Sequence, residues 1–121
     1  MKVLVADDDK IVMQVITAGL RKRGIETIAA FDAMQAVMGT MRNQPDAVVM
    51  DLNMPGGTGV EAVKRIKANS KTGMIPIVAI TGSATAEARQ SALDLGAAEC
   101  LEKPVDLDAL ADLLKRLVAG D

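Results

Sequence analysis

Apolar residues fall along the chain in two alternating patterns. Five short runs, Lys2–Ala6, Ile25–Ala29, Ala47–Met50, Ile77–Ile80 and Glu99–Leu101, recur through the sequence. All but the last are mostly apolar rather than alternating, as in parallel strands covered on both faces. Between them the period becomes helical. Val12, Val15, Ile16, Gly19 and Leu20 stand at i, i+3, i+4, i+7 and i+8, one helical face, and Leu107, Leu110, Leu114, Leu117 and Val118 repeat the stripe. Gly24 and Gly96 follow helical stretches as stop signals. Asp32-Ala-Met-Gln35 and Thr58-Gly-Val-Glu61 have the form of capping boxes, Asp9 and Asp106 that of N-caps, and Met54-Pro55-Gly56-Gly57 that of a turn. Five strand–helix alternations predict one α/β domain over residues 1–121, a doubly wound five-stranded parallel sheet with right-handed crossovers.

Composition narrows the chemistry. The one aromatic residue is Phe31, so stacking platforms for bases or sugars are missing. Net charge is −2, and the short basic run Arg21-Lys22-Arg23 sits where a helix should end, where cations favour the macrodipole. Direct nucleic-acid binding is therefore not expected. With no His, a Ser-His-Asp triad, a Cys-His dyad and a His-bearing zinc site are excluded, as is a phosphohistidine donor. One Cys, Cys100, permits no internal disulfide and reads as a small buried hydrophobe. The eight Met residues read as core filler. No apolar run is long enough to span a bilayer and no signal-peptide pattern is seen, so a cytoplasmic location is expected.

Sheets of this class bind ligands beyond the C-terminal ends of their strands. There the sequence sets Asp7-Asp8-Asp9 after the first run, Asp51 after the third, Thr81-Gly82-Ser83 after the fourth and Lys103-Pro104 after the fifth. Clustered carboxylates repel one another by about 4 kcal/mol per close pair at an effective dielectric near 20, and are tolerated only with cations present or with raised pKa values. Mg²⁺ suits an all-oxygen site, with Mn²⁺ the nearest substitute. Metal, Lys103, Thr81 and backbone N–H groups after Asp51 would together hold a dianionic phosphoryl group, with Gly82 leaving room for it. A carboxylate nucleophile needs no general base, consistent with the missing His.

These segments, with Val3-Leu4-Val5-Ala6, Asp51-Leu52-Asn53-Met54-Pro55, Gly59 and Gly96-Ala97, resemble the receiver domain of two-component response regulators over essentially the whole chain. The resemblance implies a flavodoxin-like (βα)5 fold with strand order 2-1-3-4-5. It implies Asp51 as phosphoacceptor, Thr81 and Lys103 as the pair holding the phosphoryl oxygens, and a cis Lys103–Pro104 bond. For Mg²⁺ it implies Asp8, Asp51 and the backbone carbonyl of Asn53 as ligands, with Asp7 acting through water. The partners implied are a sensor histidine kinase or histidine phosphotransfer protein, a downstream output protein or fused domain, and a second copy on phosphorylation. The chain would catalyse only its own phosphorylation and slow dephosphorylation. In the family, an aromatic residue three positions before the Lys rotates behind the Thr; here that position is Cys100, so output cannot run through a ring.

Two other readings compete. Asp51-Leu52-Asn53 imitates the Asp-x-Asp motif of haloacid-dehalogenase-type phosphatases, but that motif opens the first strand of those enzymes and here lies on the third. A phosphorylation-independent interaction module of the same fold would leave the acidic cluster without a purpose, although clustered charge costs stability.

Overall fold

The computed structural model describes residues 1–54 and 59–120. Strands β1 (Lys2–Ala6), β2 (Glu26–Ala30), β3 (Ala47–Asp51), β4 (Ile77–Thr81) and β5 (Glu99–Glu102) alternate with helices α1 (Lys10–Lys22), α2 (Ala33–Asn43), α3 (Gly59–Ala68), α4 (Ala86–Leu95) and α5 (Leu107–Ala119). All strand pairs are parallel, in the order β2-β1-β3-β4-β5. The expected doubly wound sheet is therefore observed. The ladder reaches one residue further than the apolar runs suggest. Leu52 N–H donates to Ile80 O at 3.1 Å and Lys103 N–H to Thr81 O at 2.9 Å, so Asp51 and Thr81 belong to the sheet rather than to loops after it.

The apolar strands serve two cores at once. Val3, Val5, Val49, Val78 and Ile80 face α1 and α5, while Leu4, Ala6, Val48 and Met50 face α2 and α3. Successive side chains point to opposite faces, so both sides must be apolar where helices cover both. A third, smaller cluster of Ala79, Ala92, Ala97 and Cys100 lies under α4.

The buried face of α1 is rotated from the predicted stripe. Met13, Ile16, Thr17, Gly19 and Leu20 are buried, Val12 is half-buried, and Val15 is 54% exposed. Thr17 is accommodated by donating its Oγ1–H to Met13 O at 2.8 Å. Gly19 lets Leu107 of α5 pack where a Cβ would otherwise sit. In α5, Leu110 and Leu114 are buried as expected, and Val118 is exposed at the margin. The methionines also depart from expectation. Met13, Met50 and Met54 are in the core, but Met1, Met34, Met38, Met41 and Met74 are exposed. The i, i+4, i+7 spacing of Met34, Met38 and Met41 puts them on the outer side of α2, exposed and uncovered by any element among the described residues.

Capping follows the sequence closely. Asp9 Oδ1 accepts from Ile11 N–H at 2.9 Å and Val12 N–H at 3.2 Å, and Asp106 Oδ1 from Ala109 N–H at 3.0 Å. Asp32 Oδ1 accepts from Gln35 N–H, whereas Gln35 reaches one residue further back than a capping box requires, to Phe31 N–H. Gly96 ends α4 in the left-handed region, at φ 111°. The Thr58 box and most of the 54–57 turn lie outside the described residues. The Lys103–Pro104 bond is cis. Among the described residues, no helix is long and apolar enough to cross a membrane.

Candidate functional site

Parallel pairing aligns the strand ends and gathers groups far apart in sequence. Ala6 pairs with Met50, and Asp51 with Ile80, so Asp7, Asp51 and Thr81 leave the same edge of three adjacent strands. Asp7 is fully buried and Asp51 is 3% exposed, whereas Asp8 is open to solvent. Their carboxylates, from Asp7, Asp8 and Asp51, offer oxygens that all lie within 4.8 Å of one another.

Lys103 reaches into this cluster from β5. Its Nζ lies 2.9 Å from Asp7 Oδ2 and donates to Asp51 Oδ2 at 3.1 Å. Burial alone would lower the pKa of this ammonium, but close contact with the Asp7 and Asp51 carboxylates and the charges of both outweigh burial and raise it. Lys103 is therefore a fixed positive charge across the physiological range.

Backbone groups orient the acids. Asp7 Oδ1 accepts from Asp9 N–H at 2.9 Å, and Asp51 Oδ1 from Asn53 N–H at 3.0 Å. The peptide on the N-terminal side of Asn53 thus touches Asp51 directly. Leu52 N–H is committed to the ladder and is not available to a ligand. Thr81 is buried at 7% exposure, and among the described residues its Oγ1 accepts a long 3.4 Å bond from Ser83 N–H. Beside Thr81 the space at Gly82 is open, and among the described residues an added Cβ there would meet nothing within 4 Å.

Asp7 shows that a hard divalent cation fits. Its Oδ2 is enclosed and has no well-aligned hydrogen bond among the described residues even though Lys103 is close, so a carboxylate lone pair is left inside the cluster. Three all-oxygen donors around such a lone pair are a donor set for Mg²⁺ or Mn²⁺, and a poor one for softer metals.

Two features were not legible beforehand. Gly59, at the start of α3, packs on β3 so closely that a Cβ would overlap Asp51 O and stand 2.6 Å from Leu52 Cα. Beside Lys103, residues Ile11, Val12, Val15, Ile16, Pro104 and Val105 line an apolar groove of about 330 Å³. The exposure of Ile11 (73%) signals the groove, but only once the rotation of α1 is known.

Comparison with known proteins agrees with this geometry. The family model described as "Response regulator receiver domain" matches residues 3–115. The transcriptional regulatory protein PrrA of Mycobacterium tuberculosis is 35% identical over 118 residues, covering 98% of this chain and 48% of that protein. The chain thus spans about half the length of that curated relative. Among solved structures, the receiver domain of sensor histidine kinase PA1611 from Pseudomonas aeruginosa, with a magnesium ion coordinated in its active-site cleft, superimposes with TM-score 0.90 at 30% identity. It covers 98% of this chain and 97% of that one. The receiver domain of Ssk1 from Saccharomyces cerevisiae, in complex with the histidine phosphotransfer protein Ypd1, gives TM-score 0.90 at 28% identity, with 98% and 89% covered.

Proposed function

The chain belongs to the response regulator receiver domain family of two-component signalling, and from that premise we propose that residues 1–121 act as one phosphoacceptor switch, with Asp51 taking the phosphoryl group. One observation carries this reading most. Asp51 is a nearly buried carboxylate at a strand end, oriented by Asn53 N–H on one oxygen and Lys103 on the other, inside a cluster of three acids.

Asp7, Asp8 and Asp51, with the backbone carbonyl of Asn53, would hold Mg²⁺. That cation supplies neutralisation of phosphoryl oxygen charge. The rest is the work of the chain. Asp51 Oδ attacks the phosphorus of a partner's phosphohistidine, forming an O–P bond as the P–N bond breaks and the imidazole leaves. Lys103, already within reach of Asp51 Oδ2, pairs with one phosphoryl oxygen, and Thr81 donates its hydroxyl to another. Later hydrolysis returns the carboxylate and inorganic phosphate. The only reaction catalysed is the chain's own modification.

The apolar groove between α1 and Pro104-Val105 shares Lys103 with the site, which supports docking of the phosphohistidine donor there. The structure of Ssk1 with Ypd1 is a receiver–phosphotransfer pair of this kind. The downstream output partner, and dimerisation after phosphorylation, belong to the same reading.

The test is intact-protein mass after incubation with acetyl phosphate, with and without Mg²⁺, for wild type and Asp51→Asn. A single phosphate adduct requiring both Mg²⁺ and Asp51 is expected. No adduct under any condition would leave a phosphorylation-independent interaction module. Multiple turnover of phosphate esters would point to a phosphatase.

A further inference from the structure

Position 100, on β5, is a cysteine only 1% exposed, packed among Ala79, Ala92 and Ala97. No ring is available there to follow a movement of Thr81. A different connection runs from Thr81 to α4. Thr81 pairs in register with Glu102 on β5. Glu102 Oε1 accepts from Ala84 N–H at 2.9 Å, three residues after Thr81. The carbonyl of the same residue, Ala84, accepts from Arg89 Nε of α4 at 3.1 Å, and Arg89 Nη1 donates to Cys100 O at 2.6 Å. Both backbone groups of Ala84 are thus held by side chains from two different elements, immediately before Thr85 caps α4. On the other side of Ala84, the tie to Thr81 is the long Ser83 N–H bond to Thr81 Oγ1.

We propose that Glu102 and Arg89 form a clasp on Ala84 that holds the Thr81–Thr85 segment in its unphosphorylated position, and that opening this clasp carries the phosphorylation signal to α4 in place of an aromatic ring. The inference rests on Asp51 being the phosphoacceptor. A phosphoryl group that draws the Thr81 hydroxyl toward Asp51 competes with the weak Ser83 bond and shifts the short span up to Ala84. Charge-assisted bonds at Ala84 resist that shift, because they are made in one position of the segment only. Opening frees the guanidinium on the α4–β5 face, giving a local event a readout on the surface.

A ligand that favours the open state binds more tightly when contacts specific to the closed state are removed. The probe is beryllofluoride with Mg²⁺, a phosphoryl mimic, titrated against the full chain. Arg89→Ala is the decisive variant. Loss of a cation should weaken anion binding by simple electrostatics, whereas loss of the clasp should strengthen it, by roughly three- to tenfold for one or two hydrogen bonds. Glu102→Ala should strengthen binding similarly, and Glu102→Gln, which keeps an oxygen acceptor for Ala84 N–H, should stay closer to wild type. In wild type, the Ala84 amide should exchange with solvent slowly without beryllofluoride and faster with it, a readout that needs no variant to fold.

Unchanged or weaker binding by Arg89→Ala, equal gains in Glu102→Ala and Glu102→Gln, or an Ala84 amide equally protected in both states would each overturn the clasp while leaving Asp51 as acceptor. Absence of any binding by wild type would instead overturn the acceptor reading, and the clasp with it.

Discussion

At Asp51, attraction and repulsion nearly cancel. Two neighbouring carboxylates with oxygens within 4.8 Å repel it by about 3.5 kcal/mol each at an effective dielectric near 20, while Lys103 at 3.1 Å attracts it by about 5 kcal/mol on the same scale. Asp51→Asn removes all three interactions and keeps an oxygen for Asn53 N–H. Without divalent cations it should therefore stabilise the fold by about 1–2 kcal/mol, some 4–8 °C in a thermal melt. A lower melting temperature would mean that the Lys103 bridge outweighs the crowding. Cys100 is governed by burial instead. Burial pushes its thiol pKa up, with Arg89 pulling it down and Glu99 pushing it up to lesser extents. Because the native value lies above the unfolded one, the associated stability is complete below the unfolded pKa, about 8.5, and is lost as pH rises through the native pKa. Iodoacetamide at about pH 8 should accordingly modify native protein slowly and denatured protein quickly, as read by intact mass.

Elements set how closely these residues can meet. Residue Gly59 opens α3 directly beneath Asp51, with no space for a side chain against the β3 backbone. Gly59→Ala must push α3 and β3 apart, at a cost of about 1–3 kcal/mol or more. The melting temperature should fall, and acetyl phosphate labelling of Asp51 should fall with it, because the carboxylate moves with its strand. Helix α1 illustrates the limit of periodicity. A stripe of Val12, Val15, Ile16, Gly19 and Leu20 is apolar, but Met13 and Thr17 take the buried side and Ile11 and Val15 are left at the groove. Ile11→Glu should leave labelling by acetyl phosphate near wild type and slow transfer from a phosphohistidine protein about tenfold or more, the effect of losing one apolar interface anchor. Equal slowing with both donors would locate the fault in the pocket rather than in docking.

Across the whole molecule, the acidic cluster exists only in the folded state, so a cation bound there couples to stability. Saturating Mg²⁺ at about 100 times its dissociation constant should add about 2.7 kcal/mol. Asp8→Asn should abolish most of that gain, and the metal-free variant should melt no lower than metal-free wild type, since it loses a like charge beside Asp51. A melting temperature independent of Mg²⁺ would remove the cation from the account. The sheet order β2-β1-β3-β4-β5 makes this linkage possible, bringing Asp7, Asp51 and Lys103 together across as many as 96 residues of chain, 103 less 7. Two cores stabilise that arrangement, and they are supplied by strands whose alternate residues face opposite helical layers.

The sequence by itself determined the element order, the parallel doubly wound sheet, the caps at Asp9, Asp32 and Asp106, and the four strand ends on which the candidate site stands. Each of these follows from local chemistry: continuous apolar runs, helical period, short side chains that accept backbone N–H bonds, and charge next to an apolar run. Only the tertiary structure decided which side of α1 is buried, that most methionines are exposed, that Gly59 touches the Asp51 backbone, and that Glu102 and Arg89 meet at Ala84. Those outcomes depend on packing between elements distant in sequence. A helix with apolar residues on more than one side has no preferred rotation until its neighbours are in place. An exposed Glu or Arg carries no mark in the sequence of the backbone group it will bind.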